Sequence, residues 1–242
     1  MAQVNQEKCI GCKICMTYCT VDAIHFENER CVINQDECVE CYVCLRQNIC
    51  PQGAIEPSPL DTFYKEFKHM MSDPVENHPV TGVTGRGTEE VKTNDVTGRV
   101  KRGQVGFSID MGRPGLGVYL RDAEKVAMAM CSAGVVLAPS SQSPLAALMP
   151  DPSTGKLKSD SLDTRLLSVI IEGHCSEAKL KDVLLALQKA EKEIDTVFSL
   201  GLILRVDAKG NNDILRVLDE LHIQQPHRGK VNVGLGRPLV TD

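Results

Sequence analysis

Nine of the eleven cysteines in this 242-residue chain fall within residues 1–50, and eight of them form two runs. Cys9, Cys12, Cys15 and Cys19 are separated by two, two and three residues; Cys38, Cys41, Cys44 and Cys50 by two, two and five. In a cytosolic chain such density reads as metal binding rather than as a disulfide framework. The runs sit inside an internal repeat. Gln6-Glu7-Lys8-Cys9-Ile10-Gly11-Cys12-Lys13-Ile14-Cys15 is echoed 29 residues later by Gln35-Asp36-Glu37-Cys38-Val39-Glu40-Cys41-Tyr42-Val43-Cys44. Each copy then reaches a further cysteine and an Ala-Ile pair, Ala23-Ile24 and Ala54-Ile55. Two copies of so small a unit imply a pseudo-twofold domain, each half too short to bury a core alone. Metal ligation then does what the missing core cannot.

The spacing selects the metal group. Two-residue gaps let one tight loop present three thiolates to the corners of an iron–sulfur cube, and the fourth ligand comes from a distant point in the chain. Zinc ribbons also use CxxC pairs, but with a long gap between two pairs, whereas here three closely spaced cysteines occur twice. Over roughly residues 1–57 the sequence resembles the bacterial two-[4Fe–4S] ferredoxin family. The resemblance implies one cluster on Cys9, Cys12, Cys15 and Cys50 and a second on Cys38, Cys41, Cys44 and Cys19, each fourth cysteine serving the other run's cluster. Two departures stand out. The family's proline after the fourth cysteine is present as Pro51 but is Thr20 in the first run, and the second run has two extra residues before Cys50. Neither removes a ligand. Gly11 is expected to let its loop approach a cluster closely. Cys31, in a predicted strand Arg30–Ile33, is left over and reads as packing.

The net charge of −5 gives no basic footprint for nucleic acid. Residues 1–57 carry eight acidic and four basic side chains, so most of the acidity lies there. An acidic electron carrier is expected to dock on a basic patch of a redox protein or enzyme subunit, because complementary fields speed encounter. Oligomer formation stays open. The apolar stretches are too short to span a bilayer, and the first residues lack the regions of a signal peptide, so the expected location is the cytoplasm.

Composition divides the rest. Ser58-Pro59 has the form of a helix start, followed by Phe63, Phe67, Met70 and Met71 on one helical face. Residues 72–103 are polar and carry repeated Thr-Gly pairs, which predicts an extended linker or arm. From 104 to 242 strands and helices alternate. Strands are expected at Gln104–Met111, Val135–Ala138, Leu166–Glu172, Val197–Val206 and Val231–Leu235. Helices are expected at Asp122–Ala133, after a Ser176 cap, and at Asp213–His222, with 139–163 as a long loop. The fold class is α+β: an N-terminal dicluster ferredoxin domain (1–57), a helix and arm (58–103), and a C-terminal sandwich-like α/β domain (104–242), either one mixed sheet or a βαββαβ unit.

Other signals are weaker. Gly112-Arg113-Pro114 and Gly236-Arg237-Pro238 each follow a predicted strand; two similar turns are the plain reading, and a paired Arg113/Arg237 site for an anion is the sharper one. Cys131 reads as helix core, and the adjacent His174 and Cys175 as structural rather than catalytic. The stretches Thr84–Arg99 and Met111–Gly117 are similar to the ferredoxin-bearing part of 6-hydroxynicotinate reductase-type proteins, a resemblance that transfers no catalytic residue. The leading reading is an electron-transfer subunit with two [4Fe–4S] clusters. The alternative is a ferredoxin-dependent reductase whose C-terminal domain binds substrate or flavin, with Arg113, Arg237 and His174 as the groups to test. A third, an oxygen-responsive regulator, lacks any DNA-binding signature.

Overall fold

The structure, a computed structural model, describes residues 1–84, 98–113, 115–205, 209 and 212–224. The expected final strand, Arg237 and residues 85–97 of the arm lie outside those residues.

The N-terminal unit is built from two interleaved halves. The first half runs β1 (Ala2–Val4), a 3-10 turn Ile14–Tyr18, and β2 (Ile24–Glu27). The second repeats this as β3 (Arg30–Ile33), α1 (Val43–Arg46) and β4 (Ile55–Pro57). The halves exchange strands: β1 pairs with β4 and β2 with β3, both antiparallel. The repeat is therefore a twofold in space as well as in sequence. Two asparagines open the two cysteine loops in the same way. Cys9 N–H donates to Asn5 O at 3.1 Å and Cys38 N–H to Asn34 O at 2.9 Å. Asn5 Oδ1 caps Glu7 N–H and Asn34 Oδ1 caps Asp36 N–H, each at 3.0 Å, as Asx turns do.

Helix α2 (Phe63–Ser72) follows, capped by Thr62, whose side chain accepts from Lys65 N–H. The Ser58-Pro59 start expected from sequence stands four residues too early, because Thr62 rather than Ser58 supplies the capping oxygen. Phe67 and Met71 are buried, but Phe63 is exposed.

The C-terminal body contains β5 (Gln104–Met111), β6 (Val118–Tyr119), α3 (Leu120–Ser132), β7 (Val136–Leu137), β8 (Arg165–Leu166), β9 (Val169–Ser176), α4 (Leu180–Ala190), β10 (Phe198–Ile203) and α5 (Arg216–Glu220). Four strands form one sheet in the order β10-β5-β9-β7, every neighbour antiparallel. With α3 between β5 and β7 and α4 between β9 and β10, this is the split βαββαβ arrangement, one of the two topologies the alternation allowed. Alternate residues of β5 (Val105, Phe107, Ile109, Met111) enter the core with Leu120 and Val126 of α3 and Leu180, Val183, Leu184 and Leu187 of α4, the period-2 and 3.6 patterns meeting as layers require. Phe67 and Met71 of α2 join that same core.

Two expectations change here. The strand expected over Leu166–Glu172 is split: Arg165–Leu166 pairs with β6, and β9 begins only at Val169 and runs to Ser176. The expected loop 139–163 holds a 3-10 turn, Pro144–Leu148, that drives Leu145 and Leu148 into the core, together with Met149 and Leu157. Ser and Pro in that stretch mask an apolar contribution because its spacing follows neither regular period.

Candidate metal centre

The strand exchange brings the cysteines into two groups. Cys9, Cys12, Cys15 and Cys50 line one small cavity, which Cys31, Ile10 and Ala54 also border. On the other side Cys19, Cys38 and Cys41 pack with Val21, Ala23, Val39 and Leu167, and the Cys44 thiol lies close enough to feel the charges of Cys41 and Cys19. Thus Cys50 lies with the first three cysteines of the other run, while Cys19 borders both groups. All eleven cysteines are free thiols.

The backbone of each loop is bent by left-handed residues at matching places. Gly11 (φ +68°) corresponds to Glu40 (+58°), Lys13 (+64°) to Tyr42 (+54°), and Asp22 (+55°) to Gly53 (+60°). Only two of the six are glycines, so the conformation is held by the fold against its steric cost. At Gly11 the requirement is absolute, since a Cβ there would lie 2.4 Å from Glu29 O. Such bends turn N–H groups toward sulfur. Ala23 N–H donates to Cys19 Sγ at 3.1 Å and Ala54 N–H to Cys50 Sγ at 3.2 Å. These are the alanines of the two Ala-Ile pairs, so the repeat outside the cysteines encodes a sulfur-directed donor in each half.

Burial pushes the Cys15 thiol up to about 12 and the Cys44 thiol up to about 11, and raises those of Cys38 and Cys41. Cys9 goes the other way: burial opposes the thiolate, but N–H groups of Cys31 and Gly11 outweigh it. Buried thiols held together at such cost favour a cationic group that takes their protons' place. Among the described residues no three His, Cys, Asp or Glu side chains are gathered to hold a single ion. Four thiols around a cavity, with N–H groups aimed at sulfur, suit the larger iron–sulfur group.

Cys31 is 1% exposed and borders the first cavity, with its N–H directed at Cys9 Sγ at 3.4 Å. Its thiol also hydrogen-bonds with those of Cys9 and Cys15. The repeat makes it the counterpart of Ala2 in β1.

The second group has neighbours that the sequence motif does not include. Lys68 of α2, 8% exposed, donates from Nζ to Cys38 O at 3.0 Å and Gln35 O at 3.2 Å. His69 Nδ1 lies 2.9 Å from Glu40 O. Arg46 donates to Cys41 O at 2.7 Å and pairs with buried Asp73. Glu40 itself is fully buried between Cys38 and Cys41 and accepts from Ala2 N–H at 3.0 Å. Arg165 of β8 reaches Val21 O (3.3 Å), Glu37 O (3.2 Å) and Leu116 O (2.8 Å). Sequence reasoning missed Asn5, Asn34, Lys68 and Arg165. The asparagines were detectable, since Val-Asn-Gln and Ile-Asn-Gln extend the repeat backwards; Lys68 and Arg165 carry no local signal.

The remaining sequence candidates are dispersed. Arg113 lies 3.7 Å from Asp110, and its proposed partner Arg237 is outside the described residues. The glycine-rich turn packs against the N-terminal unit: a Cβ on Gly115 would meet Thr20 O at 3.4 Å and one on Gly117 would meet Val21 at 3.5 Å. His174 and Cys175, consecutive in β9, point to opposite faces of the sheet; Cys175 is buried in the core with its thiol pushed up to about 11. Cys131 is pushed to about 11 by burial and approaches only Pro152 O, at 3.7 Å.

Residues 2–25 match a family described as 4Fe-4S binding domain. That span holds the whole first run and the Ala23-Ile24 pair. No curated protein and no solved structure matches the chain, so the likeness of Thr84–Arg99 and Met111–Gly117 to 6-hydroxynicotinate reductase-type proteins gains no support.

Proposed function

We propose that this chain is an iron–sulfur electron-transfer protein or subunit that holds two [4Fe–4S] clusters, one on Cys9, Cys12, Cys15 and Cys50 and one on Cys38, Cys41, Cys44 and Cys19. A bound cluster supplies a reversible one-electron couple. What carries the reading is the doubled geometry: two groups of four thiols, each made from both halves of the repeat, each with an alanine N–H directed at the sulfur of its remote cysteine. The protein's part is to hold thiolates, direct N–H groups at them and limit water. Among the described residues no helix is long and apolar enough to cross a membrane. The acidity of residues 1–57 supports a redox partner with a basic docking patch.

One observation favours the reductase reading as a second possibility. The face of the sheet opposite the core carries buried Ser108, Asp110 and Glu172, with Arg99 3.0 Å from Glu172. Buried polar groups on a sheet face are a common setting for a small-molecule site.

The test is a cofactor inventory of the anoxically purified chain. About eight irons with matching acid-labile sulfide and no flavin support the carrier. About four irons would remove the second cluster from the proposal. Stoichiometric flavin would make the C-terminal body a reductase in its own right.

A further inference from the structure

The two halves share cysteine spacing and backbone bends, yet their surroundings differ, and the repeat allows a position-by-position comparison. Ile10 is 61% exposed while its counterpart Val39 is 1% exposed. Cys12 is exposed, whereas its counterpart Cys41 is half-buried beside Leu167 of the C-terminal body. Exposure alone does not separate the groups, since Cys9 and Cys15 are buried while Cys38, Cys41 and Cys44 keep some solvent contact; desolvation nevertheless raises all three thiols of the second run, whereas N–H groups lower that of Cys9. The second loop also contains the buried carboxylate of Glu40 where the first has Gly11. Desolvation and an added negative charge both disfavour the more negative state of any thiolate-bound centre.

Against this, the second loop receives cations from outside the N-terminal unit, whereas the charge acting on Cys9 of the first is that of Arg30, from within the unit. Lys68 donates to the carbonyls of Gln35 and Cys38. Their counterparts are Gln6 and Cys9; Gln6 O receives only a solvent-exposed contact from Arg30, at 3.3 Å. Arg165 donates to Val21 O and Glu37 O, two residues after Cys19 and one before Cys38. The two cations lie close enough to act on each other, so together they form one positive region on the second group. Neither belongs to the N-terminal unit: Lys68 is on α2 and Arg165 on β8.

We propose that Lys68 and Arg165 are charge-setting residues supplied by the rest of the chain to the second cysteine group, and that they hold its redox potential above the value that burial and Glu40 would otherwise impose. This rests on the two-cluster reading. Its consequence is that the two halves are tuned separately, the second by residues of α2 and of the C-terminal body.

The experiment is an EPR-monitored redox titration of the full chain, with iron content measured on each sample. Lys68→Met is expected to keep about eight irons, shift one of the two reduction waves to lower potential and leave the other in place. Lys68→Arg should restore the shifted wave, and Arg165→Gln should move the same wave in the same direction. Should Lys68→Met fail to load iron, Arg165→Gln, at a half-buried site, decides alone. With full iron, two waves that both stay put, or move together, overturn the assignment. About four irons and one wave in the unaltered chain would instead fail the two-cluster reading itself.

Discussion

At the scale of single residues, the site depends on what each side chain lacks as much as on what it carries. Gly11 and Gly53 both have positive φ, but a Cβ at Gly11 would strike Glu29 O at 2.4 Å, while one at Gly53 meets nothing within 4 Å. Gly53→Ala is therefore expected to cost only the left-handed strain, about 1–2 kcal/mol. Gly11→Ala adds a backbone clash that moves the first cysteine loop, and should cost more and lower iron content; anoxic urea unfolding with iron assays compares the two. Equal effects from both would show that the Glu29 contact is unimportant. The cysteines separate in the same way. Cys12→Ala is expected to cut iron from about eight to about four per chain and to remove one EPR signal, whereas Cys31→Ala keeps both, since its backbone N–H to Cys9 survives the change. Loss of either signal in Cys31→Ala would make that thiol a ligand.

At the scale of elements, α2 serves two bodies at once. Phe67 and Met71 are buried in the C-terminal core, while Lys68 and His69, next to Phe67 in sequence, hold carbonyls of the second cysteine loop. Ser72 Oγ accepts from Leu167 N–H at 3.0 Å, fixing the end of the helix to the junction. Phe67→Ala should destabilise the chain by about 3–5 kcal/mol through the cavity it leaves. Thr62→Ala, which removes the cap, should cost about 1 kcal/mol. Denaturant unfolding monitored by far-UV dichroism orders the two; a Phe67 effect no larger than the Thr62 effect would mean that α2 is not part of the core. The sequence pattern indicated the helix and its apolar face, but not its start. Ser58-Pro59 and Thr62 are both acceptable caps locally, and the choice follows from where the helix must lie to place Phe67 and Met71 inside.

At the scale of the whole molecule, the second cysteine group, α2, the glycine-rich turn and Arg165 form one junction, whereas the first group faces away from it. Removing iron should therefore act at a distance. Chelation under anoxic conditions is expected to speed amide exchange in the N-terminal unit and then in α2 and Arg165–Leu166, while β5 and β9 at the centre of the sheet stay protected. Unchanged exchange in α2 on iron loss would separate the helix energetically from the second group.

The cysteine spacing and the repeat by themselves announced an iron–sulfur binding unit, because ligation to a cube is a short-range demand that chain spacing must meet. The alternation after residue 104 likewise announced layered strands and helices, since periods of 2 and 3.6 follow from backbone geometry alone. What tertiary structure decided lies where distant segments meet: the βαββαβ order of the sheet, the apolar role of Leu145 and Leu148 in an expected loop, and the junction that places Lys68 and Arg165 on the second group. Arg165 is more than a hundred residues from Val21 and Glu37, and no local pattern records which carbonyls a distant guanidinium will reach. That depends on how the layers pack, which only the folded chain specifies.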